Sequence, residues 1–289
     1  MYQHAPRSSS PKIEESPEMN RFAPFALLVV AAAFPGAASA ADDAADPRCR
    51  GIHSLWSPLP DECLEVIDTD RPHQTDTPHV VPAGHVQVES AVGELQLGGQ
   101  LGAPPGDRSA HLLLLDDEYT VGLVSNVAIQ LLFTHTAYDL GASKLLPPGP
   151  FDVRAKFNIV HGDGWLPDVS LVPWIFLPVA PSETLRAGPY VFWAWALPAR
   201  FELEMNAGIL FGANPKPRVA PVLASALTYT VVPNFGVFID IYATGPDAAL
   251  GTGMLWAFAR DMQLDVGTNV GVHGEEPVAT PFLRFSIRR

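Results

Sequence analysis

Phe151-Asp152-Val153-Arg154-Ala155-Lys156-Phe157-Asn158-Ile159 sets an apolar residue at every odd position and Asp, Arg, Lys or Asn at every even one. A period of two is the signature of a β-strand, whose successive side chains point to opposite faces. One face of this strand is wholly apolar; the other carries three charges and an amide, and needs solvent or a wet interior. Phe201-Glu202-Leu203-Glu204-Met205-Asn206 repeats the pattern, as does Gln263-Leu264-Asp265-Val266-Gly267-Thr268-Asn269-Val270-Gly271-Val272. Val86-Gln87-Val88-Glu89 opens the series in the same way.

Working outward, such segments recur from about Pro82 to Arg289, joined by connectors of alternating length. The long ones are polar and rich in Gly and Pro, as in Gly98 to Asp107; the tight ones include Ser125-Asn126, Pro198-Ala199, Pro233-Asn234 and Arg260-Asp261. A soluble sandwich has no reason to sort its turns this way, whereas an outer-membrane barrel has short periplasmic turns and long extracellular loops. The expected strands lie near 84–97, 111–124, 127–138, 150–160, 166–179, 187–197, 201–212, 217–231, 235–244, 250–259, 263–272 and 280–288. The fold class is therefore all-β: a transmembrane, antiparallel, up-and-down β-barrel of about twelve strands, an even count that leaves both termini in the periplasm.

Composition agrees. Lys+Arg 18 against Asp+Glu 31 gives a net charge of −13, which argues against nucleic acid as a partner. Mean hydropathy is positive, and 47% of residues are hydrophobic despite 29 prolines. Yet no apolar run after Ala40 reaches the roughly eighteen residues of a membrane helix. A barrel reconciles these facts, because its lipid-facing residues occupy alternate positions.

The first residues read as an export signal: Asn20-Arg21, an apolar run from Phe25 to Phe34, and Ala38-Ser39-Ala40 as an A-x-A site, with cleavage expected after Ala40. Met19 stands where a natural start would be. The expected organisation is a leader and signal peptide over 1–40, an N-terminal periplasmic or plug segment over 41–81, and the barrel over 82–289. Cys49 and Cys63 form a close, even pair in an exported chain, so a disulfide closing a loop of about fifteen residues is expected.

Three stretches fit less cleanly. Val172 to Ala180 and Tyr190 to Leu197 are apolar on both faces, which an apolar patch of lumen, a protomer contact or packing under a plug would each explain. His111-Leu112-Leu113-Leu114-Leu115-Asp116-Asp117-Glu118 breaks the alternation, as a bulge would. Tyr119, Tyr138, Trp165, Trp174, Tyr190, Tyr229 and Tyr242 fall near strand ends, as interfacial girdles would.

Thr69-Asp70-Arg71-Pro72, followed by Pro82-Ala83-Gly84-His85-Val86-Gln87-Val88-Glu89-Ser90, resembles the opening of the outer-membrane transporters named for the meta-pathway of phenol degradation, with their T-D-R-P box and a first strand ending in Q-x-E-S. Tyr119 to Ile129 is similar to the family's hairpin, although Val124-Ser125-Asn126 replaces its usual turn residues. The resemblance spans nearly all of the mature chain. It implies a barrel and, by association only, transport of aromatic compounds. Barrel chains often end on an aromatic residue that aids the barrel-assembly machinery, an expected partner; here Phe285 is followed by Ser286-Ile287-Arg288-Arg289.

Candidate site residues follow from the inward faces. Glu89, Asp152, Arg154, Lys156, Glu202, Glu204, Asp240 and Asp265 are the expected pore lining, their excess of acids favouring cations or neutral solutes. In a small barrel the same charges can instead pair with one another and plug it. The Thr69, Asp70, Arg71, Pro72 box reads as a structural clamp, with Arg71 reaching lumenal carboxylates such as Glu89, Asp152 or Glu202. His73, His79 and His85 recur every six residues, which matches no metal-ligand spacing. The expected function is that of an outer-membrane channel for passive passage of small apolar or aromatic solutes down their gradient, without cofactor or metal and with outer-membrane lipid and the small-molecule solute as partners. The alternatives are a lipase-type barrel enzyme and a non-conducting structural barrel. No G-x-S-x-G occurs, and Ser90, Ser170 and Ser225 lack a His at a plausible strand offset.

Overall fold

In the computed structural model, residues 47–70, 74–98, 109–146, 151–163, 165–179, 185–212, 219–274 and 277–289 are described. The expected signal, its cleavage site, Arg71, Pro72 and His73 lie outside them.

Among the described residues, thirteen strands form one sheet: β1 (Val86–Leu97), β2 (Ala110–Val124), β3 (Val127–Asp139), β4 (Lys144–Leu146), β5 (Phe151–Val160), β6 (Asp168–Leu177), β7 (Arg186–Leu197), β8 (Phe201–Phe211), β9 (Val219–Val232), β10 (Phe235–Thr244), β11 (Asp247–Ala259), β12 (Met262–His273) and β13 (Thr280–Arg288). The long strands pair antiparallel in chain order, β3 with β5 past the short β4, and β1 pairs with both β2 and β13, so the sheet closes. β4 is a three-residue return paired only with β3. Twelve long strands make the wall, as the pattern of twos required.

Two features depart from the expected rhythm. β11 starts at Asp247, so β10 and β11 are joined by Gly245-Pro246 alone, a tight turn at the end where the other connectors are long. Gly245 takes a φ of +58°, open to glycine at no steric cost. At the opposite end, β5 and β6 are joined by residues 161–167, the longest connector there.

Sequence irregularities become local defects of the ladder. Leu115 has a φ of 56° and is skipped where β2 pairs with β3, between Leu114↔Thr136 and Asp116↔Thr134. The register is the same on both sides of Leu115, so this is a local backbone distortion without the inserted residue of the expected bulge; the register shift of this pair falls between Gly122 and Val124. Pro173 of β6 and Pro189 of β7 stand directly opposite each other. Pairing lapses beside each, between Arg154↔Trp174 and Phe157↔Leu171 and between Ala187↔Phe211 and Tyr190↔Gly208, because proline has no ladder donor.

Burial alternates along the wall. Ala128, Gln130 and Leu132 of β3 are buried while Ile129 and Leu131 are not. Leu223, Ile239, Ile241, Leu250, Phe157 and Ile175 stand on the outside as exposed large apolar residues. The inside holds the polar residues: Glu89, Gln130, Lys156, Ser170, Asp265 and Ser286 are all nearly inaccessible. Such an inversion, with the apolar residues outside, suits a wall bathed in lipid.

Candidate functional site

Residues 64–70 and 74–82 supply a contact set that reaches eight strands of the inner wall. At its start, Arg288 donates to the carbonyl of Glu65, and the Ile67 amide donates to Arg260 O at 2.7 Å. Gln87 donates to Asp68 O at 2.7 Å, and Gln263 to Thr69 Oγ1 at 2.8 Å. Farther along, the Gln74 amide donates to Asp240 Oδ2 at 2.7 Å. Asp76 and Asn206 exchange two bonds of 2.6 and 2.8 Å. Asn158 and Ser170 both donate to Pro78 O. An irregular segment cannot satisfy its own backbone, so the inner wall presents side chains that do it.

Asp70 is the centre of this set. Its carboxylate accepts from Lys156 Nζ at 2.6 and 2.8 Å, from the Thr77 amide at 3.0 Å and from Gln130, while its own amide donates to Glu89 Oε1 at 3.1 Å. Lys156 also donates to the carbonyls of Thr77 and His79. Lys156 is 1% exposed; a buried ammonium so placed requires a carboxylate and further acceptors, and has both. Thr69 and Asp70 of the Thr69–Pro72 box are thus held to the inner wall, Asp70 by an ammonium from β5, while the expected bridge from Arg71 lies outside the described residues.

All eight expected lining residues are on the inner face. Glu89, Asp152, Lys156, Glu204, Asp240 and Asp265 are buried; Arg154 and Glu202 are half-buried. The cations among them are paired: Arg154 with Asp76 at 2.9 Å and with Asp152 at 3.8 Å, and Lys156 with Asp70. Sequence reasoning missed Glu94, Asp116, Glu118, Gln130, Arg186 and Arg284. Arg284 was within reach, since Phe282, Arg284, Ser286 and Arg288 alternate on one face; Glu118 was hidden because the run Leu112 to Glu118 has no apolar–polar alternation.

Above the Asp70 clamp lies a cavity of about 290 Å³ with two unlike walls. One is apolar: Val172, Tyr190, Phe192, Leu210 and Val222 form a buried cluster with Trp174 and Tyr242 packed against it. The other, from β1, β2 and β13, carries Glu94, Asp116, Glu118 and Arg284, while Arg154 lies over the Trp174 ring at 5.2 Å and Arg186 over the Phe176 ring at 3.3 Å. Arg284 pairs with Glu94 at 3.2 Å. The stretches apolar on both faces thus line the lumen. Trp174, Tyr190 and Tyr242 belong to this wall and not to a lipid-facing girdle, because an even residue of β6, β7 or β10 faces inward. A second cavity of about 290 Å³ lies on the other side of the clamp, lined by Asp68, His79, Gln87, Lys156 and Arg288 among others.

Within that second cavity His79 Nδ1 lies 2.6 Å from Asp68 and its Nε2 lies 3.4 Å from Asp168. Burial works against the imidazolium, but the bond and charge of Asp68, with Asp168 and Glu202, outweigh it and push His79 up to about 10. Asp68 is pushed up by burial and more than offset by His79, Lys156 and Thr77, so it stays below its ordinary range. At the rim, Asp261 behaves alike: burial raises it, and bonds from Arg288 and Arg260 hold it low. His85 is engaged otherwise, its Nε2 being 2.8 Å from Leu59 O.

Carboxylate oxygens of Asp70, Glu89 and Glu118 lie within 4.8 Å of one another. A cation there would compete with groups already seated, since Lys156 occupies Asp70, and Gln130 Nε2 donates to both Asp70 and Glu118. On the outer wall, Asp117 accepts from Ser90 and from Tyr119 at 3.0 Å and lies 3.0 Å from His135 Nε2. The sequence had shown no His within reach of Ser90; three adjacent strands bring one near. The carboxylate, however, stands between hydroxyl and imidazole, whereas an activated serine needs the imidazole beside it.

The family model described as "Putative MetA-pathway of phenol degradation" matches residues 69–288. The chain belongs to that family. Among solved structures, an outer membrane channel from Pseudomonas putida F1 is similar at a TM-score of 0.55 and 11% identity, covering 76% of this chain and 99% of the other. The KdgM porin (TM-score 0.45, 10% identity, 70% and 98% covered) and the NanC porin (0.45, 10%, 70% and 98%) are more distant. No curated protein matches the chain. The first likeness gives this family member the fold of an outer-membrane β-barrel, and residues 69–288 place both the Asp70 clamp and the cavity inside the shared region.

Proposed function

We propose that the chain is an outer-membrane channel for passive passage of small apolar or aromatic solutes. The tight turns then face the periplasm and the long connectors the exterior. The observation that supports this reading best is the two-walled cavity. A pore for small ions has no use for Val172, Trp174, Tyr190, Phe192, Leu210 and Val222 on one side of its lumen. An aromatic ring gains from such a wall by area and by ring–ring contact, while a hydroxyl or similar substituent finds partners on the opposite, hydrogen-bonding wall. Arg284 is matched by Glu94 and Arg154 by Asp76 and Asp152, so selectivity rests on the apolar wall more than on net charge. A fold shared with an outer membrane channel and a family name that refers to phenol degradation point the same way.

Passage needs no cofactor; solutes would move down their gradient. Refolded protein in liposomes tests this. Swelling should be faster with a small phenolic solute than with a polyol of equal size, and planar bilayers should show a small conductance. Absence of both, with hydrolysis of phospholipid instead, would replace the channel by an enzyme.

A further inference from the structure

The disulfide-closed loop before the barrel holds two of the most exposed large apolar residues of the described chain, Ile52 at 89% and Trp56 at 90%. Cys49 and Cys63 close this loop with a sequence separation of 14. It lies outside residues 69–288 and so outside what the family shares. It is nevertheless built onto the barrel. Beyond the start of β1, the last residues of β2 lose their neighbour, and the loop takes that place. Leu55 N donates to Leu123 O at 2.7 Å, the Ser125 amide donates to His53 O at 3.2 Å, and Ser54 bridges Val124. Ser54 and Ser57 close a turn on each other through two bonds of 2.9 Å, leaving Leu55 and Trp56 at its tip.

The bridge gives this loop a side. Paired residues of antiparallel strands share a face. Ser54 faces with Val124, Val124 pairs with Val127, and Val127 pairs with Phe157. Phe157 is an exposed member of the outer apolar wall. Ile52 lies two residues from Ser54 and shares that outer side by alternation, and Trp56 projects from the adjoining turn. The loop therefore continues the lipid-facing wall past the end of β1.

We propose that Ile52 and Trp56 insert into the adjacent leaflet of the membrane, the periplasmic one in the orientation given above. An indole with an apolar body and one N–H is the side chain best suited to the headgroup boundary. The anchor fixes the outer end of the very segment that runs from Cys63 through Asp68 and Asp70 into the lumen, with the disulfide holding the anchor to that segment. The inference rests on the barrel spanning a membrane and not on its conducting.

The test uses the full mature chain refolded into phosphatidylcholine vesicles, wild type against Trp56→Phe, with heat-shifted electrophoretic mobility showing that both barrels are folded and inserted. The emission lost in the variant is that of Trp56. It should be blue-shifted, lose most of its intensity to lipid brominated near the headgroup, and resist iodide in the water. Quenching by iodide and not by brominated lipid would overturn the proposal, as would protection from both, which would mean that protein covers Trp56. If Trp56→Phe folds poorly, Ile52→Trp in the wild-type background reads the same depth from the neighbouring position. An inserted barrel with a wet Trp56 would defeat this inference and leave the channel reading to the swelling assay.

Discussion

Lys156 shows at the scale of one residue why a wet lumen is costly to arrange. Its ammonium is out of reach of solvent and is held by Asp70 and two carbonyls. Lys156→Met should leave Asp70 buried without its cation, a loss of about 3–5 kcal/mol for a buried pair broken on one side. The measurement is conductance together with the midpoint of thermal unfolding: a larger or noisier conductance and a lowered midpoint are expected. The double variant Lys156→Met with Asp70→Asn should recover part of the stability. His79 adds a pH dependence. Its folded value is raised from 6.5 to about 10, so its contribution to holding the segment is complete below the unfolded value and fades as pH climbs through about 10. Asp68 has the opposite sign, its share being lost only in acid, below the ordinary carboxylate range. Conductance of the wild type should therefore be flat around neutrality and rise in strong alkali, a step that His79→Gln should lack.

At the scale of an element, β7 and the disulfide loop carry the most specific expectations. Gly188 precedes Pro189 where ladder pairing with β8 lapses, and a Cβ there would come within 1.8 Å of Ile209 O. Backbone cannot move aside as a flexible side chain can, so Gly188→Val should sharply reduce the fraction that refolds to the heat-resistant barrel form. Removing the disulfide by Cys49→Ala and Cys63→Ala releases a loop whose closure is worth about 3 kcal/mol. The barrel should still form, and residues 47–63 should become open to protease and lose hydrogen-exchange protection. The strands themselves were legible because each had to satisfy two solvents at once. Where only one solvent faces both sides, as in β6 and β7 beside the apolar lumen wall, alternation vanished and only turn chemistry marked the ends.

For the whole molecule, function depends on how walls far apart in sequence meet. Trp174, Tyr190 and Phe192 on β6 and β7 face the charged side supplied by Glu94, Asp116, Glu118 and Arg284 of β1, β2 and β13. Tyr190→Ala with Phe192→Ala should lower the flux of phenolic solutes relative to polyols by roughly tenfold, the equivalent of ~1.4 kcal/mol, while total conductance to small ions holds or increases. Swelling rates with the two solute classes measure this directly. A variant that slowed both alike would show that the apolar wall only shapes the pore.

Sequence alone determined the wall: strand number, strand limits within a few residues, the inward side of Glu89, Asp152, Lys156 and Asp265, and the Cys49–Cys63 pair. It could do so because alternation is a local property, dictated by lipid on one side and polar groups on the other. It also yielded eight residues that face inward but not their partners. Asp70 with Lys156, Arg154 with Asp76 and Arg284 with Glu94 join positions separated by 86, 78 and 190 residues. Only closure of the barrel around the N-terminal segment brings these together, since an ion pair is set by distance in space and no local pattern encodes it. For the same reason, the tertiary structure decided that the twofold apolar stretches line a cavity, and that the clamp belongs to an aspartate of the T-D-R-P box and a lysine of the strand with which the reading began.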